Sequence, residues 1–278
     1  MAKKQASRGE DGELAKPLVE VEAGLPEESR HRMEAAAGPF TSDLSVSEFI
    51  LVRQAGFRPA GLVLGTSIYR LGITSRARLG SREMDSMSQA MYSARELAMT
   101  RMEAEAELVG ADGVVGVRLD VQLHAWGKHV IEFLAIGTAL KADESGPWRT
   151  PAGMPFTSDL SGQDFWALLQ AGYAPLGLVM GSCVYHVGSS LAQGSVGTTV
   201  ELKTYTDAFY RARELAMQRM SDDAAHIGAD GIVGVSIIES NQVWGSHMVE
   251  FLAIGTAVRE LPGAKPMAPP SLVIPLSG

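Results

Sequence analysis

The octapeptide EFLAIGTA occurs twice, at Glu132–Ala139 and at Glu250–Ala257, 118 positions apart. A verbatim recurrence of that length in a chain of 278 residues restricts the fold more than any local propensity does. Self-similarity at a fixed offset marks a duplicated structural unit. Extending the match bears this out. PFTSDLSVSEFILVRQAGFRPAGLVLGTSIYRLG from Pro39 aligns with PFTSDLSGQDFWALLQAGYAPLGLVMGSCVYHVG from Pro155 at an offset of 116, with roughly half the residues identical. ARELAM at Ala94 and Ala212, and GADGVVGV at Gly110 with GADGIVGV at Gly228, recur at an offset of 118. The second copy thus gains two residues between Gly188 and the next shared motif. They fall in the Gly/Ser-rich SSLAQGSVGTT, as an insertion in a surface loop should. Two copies are too few for a solenoid, and each has the size of a small domain.

The predicted organisation is two domains, residues 38–140 and 154–260. A charged segment, 1–37, is predicted to be disordered apart from a short helix near Glu27–Ala37. A linker, 141–153, carries two prolines, and a Pro-rich tail, 261–278, ends in an apolar patch. A formal net charge of −8 argues against general nucleic-acid binding, which relies on a basic surface to displace counterions. The opening MAKKQASRGEDGEL lacks the apolar region of a signal peptide. The apolar run Val130–Leu140 is too short and too interrupted by glycine to span a bilayer. One cysteine, Cys183, permits neither an internal disulfide nor an all-thiolate metal site within the chain. These features together predict a cytoplasmic protein.

Within one copy the order of elements is predicted as α–β–α–β–β. Ser45 and Glu48 have the spacing of a capping box, and Ser161 with Asp164 is its weaker counterpart. The short helix that follows stops at Gly56 or Gly172. A glycine-bounded strand, GLVLGTSIY or GLVMGSCVY, leads by a polar loop to the longest helix. There Met87, Met91, Ala94, Ala98, Met102, Ala106 and Val109 step by three and four. Tyr205, Phe209, Ala212, Ala216, Met220, Ala224 and Ile227 repeat the stripe. Two strands close each unit. In the first of them Val115, Val117, Leu119 and Val121 are predicted to share a face. One helix on a three-stranded sheet leaves a face and both edges bare, so the pattern predicts an oligomer.

The residues Gly61–Tyr69, Ala94-Arg95, Gly110–Val117 and Gly137–Leu140, echoed by Gly177–Tyr185, Ala212-Arg213, Gly228–Val235 and Gly255–Val258, resemble the YbjQ-like family, also known as UPF0145 or heavy-metal-binding domain proteins. The resemblance covers about Phe57–Leu140 and Tyr173–Val258. It implies an α+β fold of two tandem dodecin-like β-α-β-β domains, here each preceded by a short helix. It further implies assembly into rings, with a pentamer expected. The chain departs from the family's Gly-Gly-Glu stretch before the long helix, having GSREMD and GTTVEL instead.

Metal binding is the family's label, and a divalent ion is the one cofactor the sequence suggests. The best ligands are His129 and Glu132, with His247 and Glu250 at the matching positions. A separation of three in a strand points such a pair to opposite faces, so a shared site needs a bulge or a second subunit. The plainer alternative is a histidine at the strand entrance and a glutamate paired with a nearby cation. Arg95 and Glu96, and likewise Arg213 and Glu214, are predicted to form an interface or bind an anion, or else to lie on a solvated or internally paired helix face. Asp112 and Asp230 in the GADG turns are expected to bond local backbone amides. Cys183 reads as buried filler. In the tail, Leu272, Val273 and Ile274 suggest a segment that docks on another subunit or a protein partner.

No catalytic motif is present. The function expected is non-enzymatic self-assembly into rings or a larger closed particle. The alternatives are a metal or small-ligand module with sites between subunits and an enzyme with its site there. The strands Gly61–Tyr69 and Glu132–Ala139 are expected to pair across subunits.

Overall fold

The structure is a computed structural model that describes residues 24–34, 39–70, 81–123, 130–188, 201–241 and 247–262. The elements of the first copy are α2 (Val46–Gln54), β1 (Phe57–Arg70), β2 (Arg82–Glu83), α3 (Asp85–Leu108), β3 (Gly113–Leu123) and β4 (Val130–Ala142), preceded by α1 (Glu27–Glu34). The second copy contains β5 (Phe156–Thr157), α4 (Gly162–Gln170), β6 (Tyr173–His186), α5 (Lys203–His226), β7 (Gly231–Asn241) and β8 (Met248–Glu260).

Local chemistry sets the helix ends as the sequence implied. Ser45 Oγ accepts from the Glu48 amide while the Glu48 carboxylate accepts from the Ser45 amide, completing the capping box. Ser161 Oγ accepts from the Asp164 amide in the same place. The helical stripes are the core. Met91, Ala94, Ala98, Met102 and Ala106 of α3 are buried on the first sheet, and Ala212, Ala216, Met220 and Ala224 of α5 on the second. Asp112 and Asp230 each accept from a backbone amide of the last strand of their copy, from Ala142 and Glu260. Cys183 is buried, and burial pushes its thiol up to about 12.

Three sequence expectations are corrected. First, the sheets have four strands, not three: β1-β4-β3-β5 and β2-β6-β8-β7. Each fourth strand comes from the other copy, β5 adding parallel to β3 and β2 antiparallel to β6. Second, β4 and β8 cannot pair across subunits, because each is flanked on both sides by strands of its own copy. Third, Val115 and Val117 do not share a face. Gly116 has φ 63° and the register of β3 on β4 shifts there. This is a β-bulge, which re-aims the side chains on either side of it. Val114 and Val117 therefore pack under α3 while Val115 joins a second cluster with Phe57, Leu140, Phe156 and Phe165. Gly234 repeats the bulge in β7 with φ 67°.

The segment predicted as a linker is fastened to the first copy. Trp148 packs edge-on against Phe57, 5.0 Å between centroids, and Arg149 donates to the Glu107 carboxylate and the Ala111 carbonyl. The short N-terminal helix is α1, which rests on α3 through the buried Met33 and an Arg32–Glu105 ion pair of 2.6 Å.

Candidate functional site

The surface between the two copies gathers a buried ion pair, exchanged edge strands and an aromatic clasp, and it is the candidate site. It has two halves, and each follows from residues the duplication wrote twice.

In the first half, the long helix of copy one turns a second, more polar stripe toward the sheet of copy two. Ser88, Arg95 and Met99 are buried on α3 beside the apolar stripe. Arg95 reaches across to Glu250 in β8, Nη1 to Oε1 2.8 Å, with side chains only 3% and 2% exposed. Ser182 Oγ donates to the same carboxylate oxygen at 3.1 Å, and the guanidinium lies 5.3 Å from the centroid of Phe133. A charge pair removed from water to this degree depends on such additional hydrogen bonds to be tolerated. Ser88 Oγ accepts from the Val184 amide, and the Met84 amide donates to the Val184 carbonyl. Glu83 of β2 binds Arg219 at 2.6 Å; burial is the largest single influence and opposes its ionisation, but the hydrogen bonds from Arg219 and Ser88 and the Arg219 charge together hold the carboxyl below its ordinary range.

In the second half, the peptide PFTSD leading into copy two clasps both domains. Its polar residues bind their own copy. Thr157 Oγ1 accepts from the Leu178 amide, and Ser158 Oγ meets Thr256 Oγ1 at 2.9 Å. Its backbone and aromatic ring bind the other copy. The Phe156 amide donates to the Asp112 carbonyl, the Ser158 amide to the Val114 carbonyl, and the Val117 amide to the Ser158 carbonyl. The Phe156 ring stacks on Phe165, 5.6 Å between centroids, and lies directly over Gly113, where any Cβ would collide with it.

Between these halves opens a cleft of about 420 Å³, lined by Glu103, Met154, Leu178, Asp223, His226 and Ile227 among others. Burial pushes the Glu103 carboxyl up to about 7, with the nearby Glu96 charge adding to it. Burial also raises Asp223.

The sequence-predicted site residues are thus distributed as follows. Arg95 and Glu250 come together, one from each copy, although the sequence had placed them in different roles. Glu96 stays exposed on α3. Arg213 stands 3.9 Å from Glu214 and stacks over Tyr210 at 4.5 Å, on a partly exposed face of α5. His247, at φ 68°, has its Nδ1 3.2 Å from the Tyr205 hydroxyl. Glu132 is partly buried in β4, and His129 lies outside the described residues, as do Leu272, Val273 and Ile274. Among the described residues no group of three or more His, Cys, Asp or Glu side chains is arranged to hold a metal ion. Sequence reasoning missed Ser182, Glu83 and Phe156. For Phe156 a signal existed: the six residues PFTSDL repeat without change in a stretch with no helix or strand pattern of its own.

A duplicated α+β unit of this topology, with each copy lending a strand to the other's sheet, defines the class, and sequence comparison gives the family. The chain belongs to the YbjQ family, whose model, described as "Putative heavy-metal-binding", matches residues 52–143 and 173–260. Among its relatives is the Encapsulin nanocompartment protein Rv1762c of Mycobacterium tuberculosis, 44% identical over 249 residues, which span 88% of this chain and 95% of that protein. Single-domain relatives include UPF0145 proteins of Vibrio campbellii, 42% identical over 88 residues (31% of this chain, 83% of theirs), and of Helicobacter hepaticus, 39% identical over 98 residues (34% and 93%). No helix among the described residues is long and apolar enough to cross a membrane.

Proposed function

We propose that this chain is a non-enzymatic structural protein that assembles with copies of itself into a closed ring of five chains or a larger closed particle, in the cytoplasm. The observation that carries the reading is an inequality between the two copies. Val235 of β7 is 44% exposed, whereas its counterpart Val117 in β3 is 2% exposed. Ile237 and Ile238 beside it are 41% and 43% exposed. Exposed β-branched residues on both faces of a sheet's outermost strand mark an association surface. The relative named as an encapsulin nanocompartment protein, aligned along nearly its whole length, supports the same reading. Size-exclusion chromatography with light scattering on the full chain tests it. A single high-mass species is expected, and a monomer at micromolar concentration would sink it. The tail's apolar run serves on this reading to dock on another subunit or a protein partner; truncation after residue 262 should loosen that contact without abolishing the ring.

The family's description favours a second reading, a divalent metal or small ligand held between subunits, with His129, Glu132, His247 and Glu250 as its ligands. The engagement of Glu250 by Arg95 weighs against it. Native mass spectrometry with elemental analysis, on protein purified without a metal-affinity tag, decides: fully assembled but metal-free protein rejects this reading.

A further inference from the structure

Groups that make the contact between copy one and copy two have counterparts elsewhere in the chain, and several of these, Phe40, Ile68 and Val235 among them, are exposed. We infer that the chain joins head to tail by repeating its internal interface. In that joint the Phe40–Phe49 aromatic stack of one molecule inserts over Gly231 of the next, and Phe40–Thr41 adds as a parallel strand to Gly231–Ile232. This rests on the self-assembly reading above and specifies its surface.

Three independent features of the chain meet in this joint. The plug is already built. Thr41 Oγ1 accepts from the Leu62 amide and the Asp43 amide donates to Thr138 Oγ1, so the first PFTSD arm is docked on its own copy as the second is on its own. Phe40 stacks on Phe49 at 5.9 Å, matching the 5.6 Å stack of Phe156 on Phe165. Yet Phe40 is 51% exposed and Phe156 is fully buried. An aromatic ring held out by a fastened arm has its ordering cost met before binding, which favours association.

The socket is built as well. At Gly113 a Cβ would strike the Phe156 ring, so the lack of a side chain there is what admits the plug. Gly231 occupies the corresponding place in copy two, and among the described residues a Cβ on it would find only Val258, at 3.9 Å. The space that a ring fills in copy one is left open in copy two by the described residues. β7 is also the outermost strand of its sheet, as β3 would be without β5.

The other half of the interface repeats on the same side of the joint. Val184, whose amide donates to Ser88 Oγ of α3 and whose carbonyl accepts from the Met84 amide, is fully buried; its counterpart Ile68 on the outermost strand β1 is 55% exposed. Arg213 and Thr206 on α5 stand where Arg95 and Ser88 stand on α3, ready to meet that edge of the following molecule. The contact is heterologous, so it propagates from chain to chain until the rotation closes.

The test uses the full chain. Gly231→Val places a branched side chain where the isolated chain has room, so far-ultraviolet circular dichroism and the thermal transition of the single chain should be preserved. Light scattering should show the assembly reduced to single chains. Phe40→Asp, at an exposed position, should do the same and guards against a folding defect in the first variant. Gly113→Val, which meets Phe156 inside the chain, should instead disturb folding. If the wild-type protein assembles and both Gly231→Val and Phe40→Asp assemble equally well, this joint is wrong and the self-assembly reading survives. If the wild-type protein is a monomer, the self-assembly reading itself has failed.

Discussion

Replacing Arg95 by alanine removes the cation from a carboxylate that has nowhere to turn. Glu250 is 2% exposed at its side chain, and its remaining partner at the contacted oxygen is the Ser182 hydroxyl at 3.1 Å. Water cannot reach it without separating α3 from the second sheet. Breaking a pair buried to this extent by deleting one partner costs about 3–5 kcal/mol. With the two copies sealed into one cooperative unit of roughly 200 residues, each kcal/mol lowers the melting temperature by about 2–4 °C, so Arg95→Ala should melt roughly 6–20 °C below wild type. Scanning calorimetry on the full chain at pH 7 and moderate salt measures this. The double variant Arg95→Met with Glu250→Leu removes both charges and refills the volume, so it should regain most or all of the loss, since a buried ion pair and a well-packed apolar pair differ little in stability. A loss below about 1 kcal/mol for Arg95→Ala would match a solvent-exposed pair and refute the claim that the copies are sealed around this contact.

Gly65→Ala should sharply reduce the yield of folded protein, because a Cβ there collides with the Ala98 carbonyl of α3 and a backbone atom cannot move aside; soluble expression and circular dichroism check it. Ser45→Ala should destabilise by about 1 kcal/mol through loss of the cap on α2, read from urea unfolding. Glu103 has a folded-state pKa raised to about 7 from 4.5, chiefly by burial. Between those values the unfolded chain ionises it and the folded chain does not. Its contribution to stability is therefore fully present below about pH 4.5 and is lost as pH rises toward 7. Glu103→Gln should consequently gain stability over wild type at pH 8 and lose that advantage at pH 4, as urea melts at the two pH values will show.

The aromatic clasp explains why the two copies remain recognisably alike in some stretches and drift in others. PFTSDL and GTA bind each other within each copy, and in the second copy Phe156 also binds the neighbouring copy. A change in the second PFTSDL would disturb two contacts at once.

The sequence by itself determined the duplication, the helix starts at Ser45 and Ser161 and the apolar stripes of both long helices. These depend on periodicity and on partners a few residues away or at repeated spacings, and a linear reading captures them. That reading put the partners of Asp112 and Asp230 in the turn, whereas they are the amides of Ala142 and Glu260 in the last strand of each copy. It misjudged β3, because one residue in the left-handed region at Gly116 reverses the alternation that strand reading assumes. It separated Arg95 from Glu250, which lie 155 positions apart, because nothing in either segment names the other. Only the tertiary structure decided that the copies exchange edge strands, that their mutual surface is sealed by a buried ion pair, and that the same surface is left half-used at each end of the chain. Those are consequences of how one domain is rotated against its twin, and that rotation is set by the fit of packed side chains across the joint, a property that appears only when both surfaces are brought together.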